Sequence, residues 1–320
     1  MRTVEAFFRL IRWPNLCFIL ITQILYYYFV FRPLLLNSAD VPFYFSGERI
    51  FLFYLLCAAS VLIAAAGYII NDYFDLKIDS INKPERVVVD RIVKRRWAIL
   101  WHLILSAAGL AISFYISWRT GYLIIGLGNL LCVLLLWVYS TTFKRKVLIG
   151  NFIIAALTAW VLIVIYFFTG ARPLDIHGWD NTGYVFQIRK LFIITMVYAG
   201  FAFILSVVRE VVKDMEDVIG DAKHDCRTMP IAWGMPAAKV FVAVWMAVLI
   251  AAVSIASFYA FQSGWRWGAL YVFTLIFIPM LTLLYHLKKA VTTADFHKLS
   301  NMIKLVMFTG ILSMIFFITI

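Results

Sequence analysis

Nine stretches of roughly twenty mostly apolar residues run through this chain and constrain its fold more than any other feature. They lie near residues 14–34, 48–70, 97–118, 121–141, 148–169, 190–209, 238–260, 266–286 and 302–320. About twenty helical residues cross a bilayer core of about 30 Å, and a helix satisfies its own backbone polar groups there. The stretches are long and continuous, which excludes the alternating pattern of an outer-membrane barrel. The expected fold is all-α: a polytopic membrane protein with nine transmembrane helices in one bundle, read as a single domain over residues 1–320. Composition agrees, since 64% of the 320 residues are hydrophobic and only 14% charged, too few to cover a water-facing sphere. Cys17, Cys57 and Cys132 lie inside apolar runs and only Cys226 in a polar stretch, with no CxxC pair, so neither a disulfide nor a zinc site is expected. The start, MRTVEAFFRLIRWPNL, reads as a basic amphipathic lead into the first span rather than a cleaved signal.

The net charge of +12 would suit a nucleic-acid binder, but its distribution suits membrane topology. With the N-terminus in the cytoplasm, 22 of the 29 Lys and Arg fall on that side. The positive-inside rule then places the C-terminus outside. No nucleic-acid partner and no obligate protein partner are implied. The longest external loop, Gly170 to Arg189, contains Pro173, Asp175, His177, Trp179 and Asp180 and reads as an interfacial cap.

An acidic cluster follows the second span, and another follows the sixth, four spans later, as two related halves would produce. The first reads NDYFDLKIDSINKPERV. Asp72, Asp75 and Asp79 are spaced three and four, so a continuing helix puts all three on one face with Asn71 at its edge. The second reads REVVKDMEDVIGDAKHDCRTMP. Asp214, Asp217, Asp221 and Asp225 follow the same spacing, with Glu210 one turn earlier. Like charges at i,i+4 repel by about 0.2–0.5 kcal/mol per pair, and plain solubility would be met by alternating Lys and Glu. Converging carboxylates are what a hard divalent cation requires, and Mg²⁺ commonly joins one or two of them to substrate phosphates.

Cations interleave with these acids: Lys77, Lys83 and Arg86 near the first cluster, Arg209, Lys213, Lys223 and Arg227 near the second. The cytoplasmic segment from Tyr139 to Lys144, Arg145 and Lys146 adds more. Acids with cations point to metal and phosphate together. A cation- or proton-coupled transporter is the reading from a different class. Its carboxylates should sit near mid-membrane, whereas these sit at cytoplasmic helix ends and in the loops beyond.

At this point the residues resemble the UbiA-type intramembrane prenyltransferases. Asn71, Asp72, Asp75 and Asp79 match the family's N-D-x-x-D-x-x-x-D motif, and Asn82, Pro84 and Arg86 match the N-x-P-x-R that follows, with Val87 where Pro is usual. Asp217 and Asp221 match the second motif, with Asp214 one turn before it. Tyr139 and Lys144 match the tyrosine-to-lysine segment with one extra residue, and IRWPNL with Asn15 looks like the family's first helix. REVVKDMEDVIGD followed by RTMP is similar in wording to the branch that transfers geranylgeranyl groups to geranylgeranylglycerol phosphate. Asp225 stands at the usual Gly of that branch and Met229 at the usual Leu.

The resemblance implies a Mg²⁺-dependent transfer of a polyprenyl group, geranylgeranyl by motif wording, from an allylic diphosphate donor to a hydrophobic acceptor. Asn71, Asp72, Asp75, Asp79, Asp214, Asp217 and Asp221 would hold two Mg²⁺ ions. Asn71, Lys77, Asn82, Arg86, Tyr139, Lys144, Arg145 and Lys213 would bind substrate. Aromatic quinone precursors such as 4-hydroxybenzoate or a naphthoate are the alternative acceptors. Tyr68, Trp137, Tyr139, Trp160, Tyr166 and Tyr198 are candidate cavity aromatics by type only. No base stands out among His102, His177, His224, His286 and His297.

Overall fold

The computed structural model describes residues 2–36, 46–82, 84, 87–169 and 183–319. A short helix α1 (Arg2–Leu10) precedes α2 (Trp13–Leu25), which runs through a π turn at Tyr26–Phe31 into α3 (Arg32–Leu36). The long elements that follow are α4 (Gly47–Asn82), α5 (Arg95–Thr120), α6 (Leu123–Thr141), α7 (Ile149–Phe168) and α8 (Gly183–Glu216). Two short helices, α9 (Val218–Lys223) and α10 (Met229–Ala232), come next. Then come α11 (Met235–Gln262), α12 (Arg266–Val272), α13 (Ile278–Lys289) and α14 (Thr293–Leu312). Among the described residues nine helical spans are long and apolar enough to cross a membrane, and the chain is a multi-pass membrane protein.

Several span ends lie beyond the hydropathy reading, because hydropathy marks lipid contact while the backbone ladder continues past it. The second span extends from residue 70 to Asn82, and the sixth to Glu216. The ninth begins at Thr293 rather than 302, because Thr292 and Asp295 form a capping box ahead of its apolar run. The two π turns also have a local cause. Each ends two residues before a proline, Pro33 or Pro279. Proline offers no N–H and its ring collides with the carbonyl four residues back, and widening the turn relieves both.

The chain falls into two compact units, Met1–Phe143 with Trp160–Val197, and Lys144–Ala159 with Tyr198–Ile320. In the first, α4 packs against α2, α5 and α6. Polar bonds fasten α5, α6 and α7: Asn129 Nδ2 donates to Ser113 Oγ at 2.8 Å, and Trp160 Nε1 donates to Asn129 Oδ1 at 2.9 Å. Such bonds matter in lipid, where apolar packing alone has no solvent drive. Gly128 makes the approach possible, since a Cβ there would lie 2.0 Å from the Trp160 ring. In the second unit, Val208 and Val212 of α8 pack with Val242 and Met246 of α11, Leu283 and Leu287 of α13, and Leu299 and Ile303 of α14. Each unit carries one of the acidic clusters.

Candidate active site

The first cluster rides the end of α4. Thirty-six residues at 1.5 Å each make this helix about 54 Å long, against a bilayer core of about 30 Å. The surplus carries Asn71, Asp72, Asp75, Lys77, Asp79 and Asn82 on one unbroken ladder. Asp75 is 3% exposed and accepts a 2.6 Å hydrogen bond from Asn71 Nδ2. Arg12 Nη2 lies 2.6 Å from Asp72 Oδ1, and its guanidinium also sits 5.3 Å from the centre of the Tyr68 ring. Burial alone would lower the Arg12 pKa. The charges of Asp72, Tyr68 and Asp79 more than reverse this and raise it, so the group stays cationic.

Arg12 reaches Asp72 because of how α2 begins. Pro14 occupies the first turn, and Arg12 caps it at φ 51°, ψ 53°, a left-handed conformation unusual for a long side chain. Arg12 is one of the basic residues on the N-terminal side of the first span, and its pairing with Asp72 is visible only in three dimensions. Arg86 and Lys83, and the loop residues Pro173, Asp175, His177, Trp179 and Asp180, lie outside the described residues.

The second cluster corrects the expectation of a single helical face. α8 ends at Glu216, Asp217 sits at a bend (φ −95°, ψ 5°), and α9 carries Asp221. Backbone bonds bracket the bend, from Asp217 N–H to Lys213 C=O at 2.9 Å and from Asp221 N–H to Asp217 C=O at 3.1 Å. Asp225 leaves the series altogether. It lies beyond α9 at φ 56°, where an Asp is tolerated and a Gly is the ordinary choice. Asp214 accepts a 2.8 Å bond from Asn151 Nδ2 at the start of α7. Glu210 binds Arg209 at 2.9 Å and Lys213 at 3.2 Å. Lys144 and Arg145 form a short 3-10 turn, and the Arg145 carbonyl accepts from Arg227 N–H at 2.9 Å. Tyr139 lies in the last turn of α6.

Sequence reasoning missed Asn151 and the 3.0 Å contact between His297 Nδ1 and Glu216 Oε1. An Asn opening an otherwise apolar span was the available signal for the first. Among the aromatic candidates, Trp160 is held by Asn129, Tyr198 by Ser313 at 2.8 Å, and Tyr166 is buried against Phe167 and Phe192. His102 is an ordinary buried site, 3% exposed with Nδ1 3.0 Å from the Ala66 carbonyl.

Within neither unit, among the described residues, do three His, Cys, Asp or Glu side chains gather as a ready metal cage. Mg²⁺ seldom uses such a cage and takes its remaining ligands from water and phosphate. One atom fits the ion directly. Asn71 spends its Nδ2 on Asp75, and its Oδ1 is buried with no hydrogen-bond partner among the described residues. A buried acceptor without a donor beside a buried carboxylate is a natural seat for a cation.

The UbiA prenyltransferase family model matches residues 24–308. The chain belongs to this family. It is 32% identical over 233 residues to the digeranylgeranylglyceryl phosphate synthase of Methanothermobacter thermautotrophicus, covering 72% of this chain and 70% of that one. To the enzyme of the same name from Methanosphaera stadtmanae it is 32% identical over 181 residues, covering 56% of this chain and 57% of the relative. The match to the Thermococcus gammatolerans enzyme of that name is 36% over 200 residues and covers 62% of each chain. Among these three relatives the chain thus spans between 57% and 70% of their length. A solved structure described as a digeranylgeranylglyceryl phosphate synthase superposes with a TM-score of 0.60 at 23% identity, over 98% of this chain and 99% of that one. A UbiA homolog from Archaeoglobus fulgidus, bound to DMAPP and Mg²⁺, gives 0.56 at 17% identity, over 97% and 99%. At these identities the likeness is one of fold.

Proposed function

We propose that this UbiA-family protein is a Mg²⁺-dependent prenyltransferase that moves a geranylgeranyl group from its diphosphate to geranylgeranylglyceryl phosphate. The observation that carries the reading is the Asn71–Asp75 pair: a buried carboxylate beside a buried, unbonded amide oxygen, on a helix end longer than the membrane requires. Relatives named digeranylgeranylglyceryl phosphate synthase support the acceptor, and fold neighbours holding DMAPP or GPP with Mg²⁺ support the donor and the metal.

Asn71, Asp72, Asp75 and Asp79 would hold one ion, and Asp214, Asp217 and Asp221 another. When bound, the metal neutralises the charge that builds on the leaving diphosphate. Lys77, Arg86, Lys144, Arg145 and Lys213 would balance the rest of that charge, while Asn82 and Tyr139 orient the donor. The C–O bond to the allylic carbon breaks and its electron pair leaves with diphosphate. The acceptor hydroxyl forms the new ether C–O bond and gives up its proton to solvent or to the leaving diphosphate. Apolar helix faces keep water from the allylic cation in between. The whole chain acts as one domain with its N-terminus and both acidic clusters on the cytoplasmic side and its C-terminus outside, as 22 of 29 basic residues suggest.

The test is incubation of purified protein with Mg²⁺, labelled geranylgeranyl diphosphate and a panel of acceptors: geranylgeranylglyceryl phosphate, 4-hydroxybenzoate and a naphthoate. The expected product is digeranylgeranylglyceryl phosphate by mass, lost on EDTA treatment and restored by Mg²⁺. A product formed only on an aromatic acceptor overturns the acceptor, and metal-independent turnover overturns the metal assignment.

A further inference from the structure

The turn after the second acidic cluster holds polar groups that the donor reading leaves unused. α9 ends at Lys223, Asp225 reverses the chain through its left-handed φ, and Cys226 N–H returns to the Asp221 carbonyl at 3.1 Å. This closure delivers Arg227, whose N–H bonds the Arg145 carbonyl and fastens the cationic run Lys144, Arg145 and Lys146 beside it. Thr228 follows in extended conformation at the N-cap of α10. A threonine there ordinarily accepts a hydrogen bond from the first helical turn. Thr228 caps nothing, is only 4% exposed, and its Oγ1 is buried without a hydrogen-bond partner among the described residues. His224 Nε2, four residues earlier, is buried and unbonded in the same way.

An unbonded hydroxyl and an unbonded ring nitrogen, bracketing a sharp turn among cations, match an anion that can both accept and donate. A phosphate does both, and guanidinium is its preferred planar partner. We infer that Arg227, Thr228 and His224, flanked by Lys146, form a second anion site, specific for a phosphomonoester and separate from the diphosphate ligands. The assignment of that phosphomonoester to the acceptor rests on the acceptor proposed above. The turn follows Asp221 within a few residues. A phosphate held there would keep the free hydroxyl of the same three-carbon glycerol backbone close to the second acidic cluster.

The experiment is titration calorimetry on the full chain in detergent, with the donor site saturated by Mg²⁺ and an unreactive geranylgeranyl thiodiphosphate. The probes are geranylgeranylglyceryl phosphate, inorganic phosphate, dephosphorylated geranylgeranylglycerol and phosphatidylglycerol. Arg227→Gln and the near-isosteric Thr228→Val should each weaken the phosphorylated acceptor about tenfold, the scale of one charge-assisted hydrogen bond. They should weaken inorganic phosphate in parallel and leave the dephosphorylated probe bound as in the parent. Unchanged phosphate affinity in Thr228→Val, which preserves volume and should keep the melting temperature, overturns the site. So does a parent protein that binds no phosphomonoester, or that binds the phosphatidylglycerol diester equally well. If phosphate binding falls in the variants but turnover occurs only on an aromatic acceptor, the site stands and the acceptor assignment fails. If turnover on geranylgeranylglyceryl phosphate keeps the parent KM in both variants, the acceptor stands and the site fails.

Discussion

At the end of α4 the acidic residues ride one unbroken helix, whereas at the end of α8 the same spacing straddles a bend at Asp217. In the first cluster Arg12 pairs with Asp72, and Asn71 on the same helix donates to Asp75. The second has its amide supplied from another helix, Asn151 on Asp214, and its flank tied by His297 to Glu216. One arrangement is a rail whose carboxylates share a fixed register. The other is a joint in which the position of Asp221 relative to Asp214 depends on a bend and on the loop that closes after it. Similar spacing in sequence thus yields two different mechanical supports for the two sets of carboxylates.

The comparison breaks most sharply at the carboxylates themselves. Asp75→Ala and Asp217→Ala should each cost about a thousandfold in turnover, the scale of removing a main electrostatic stabiliser, if both clusters serve one leaving group. A mass-resolved transfer assay checks this, with melting temperature as the control for folding. Loss in one variant and normal turnover in the other would make the two clusters functionally unequal.

The two asparagines sharpen the contrast next. Asn71→Ala should raise the Mg²⁺ concentration for half-maximal turnover about tenfold, because it removes both a bond to Asp75 and a free acceptor oxygen. Asn151→Ala removes only the bond to Asp214 and should shift the same midpoint less. Equal shifts would mean that the unbonded Asn71 oxygen has no role in the ion's seat.

The external ties come third. Arg12→Ala should lower stability by about 1 kcal/mol, read as a fall in melting temperature in detergent, since the pair with Asp72 is partly buried at 36% and 17% side-chain exposure. His297→Ala should cost less, because the imidazole is 44% exposed. The reverse order would make the joint, not the rail, the more tightly braced of the two. Lys144→Gln gives the smallest effect, a rise of about threefold in donor KM at low salt that shrinks at high salt as charges are screened. A salt-independent change would assign Lys144 a packing role.

The polar pattern was legible where chemistry and register coincide. The Asn71 to Asp79 spacing needed only a continuing helix, and α4 continues. The Asp214 to Asp225 spacing looked identical, yet Asp217 and Asp225 adopt non-helical angles that side-chain periodicity cannot express. Arg12, Asn151 and His297 were missed because each acts on a residue 60, 63 or 81 positions away. Thr228 enters the sequence reading only as part of RTMP, and its uncapped, buried hydroxyl shows only in the structure.

By itself, the chain's order of residues determined the membrane class, the count of apolar spans and the types of group at the acidic ends, because hydropathy and charge are sums over neighbours. Tertiary structure decided which amide serves which carboxylate, where the helix carrying the second cluster bends, and which cation meets Asp72. Those outcomes depend on helices brought together from distant parts of the chain and on backbone angles set by packing, and neither quantity is a property of any local window.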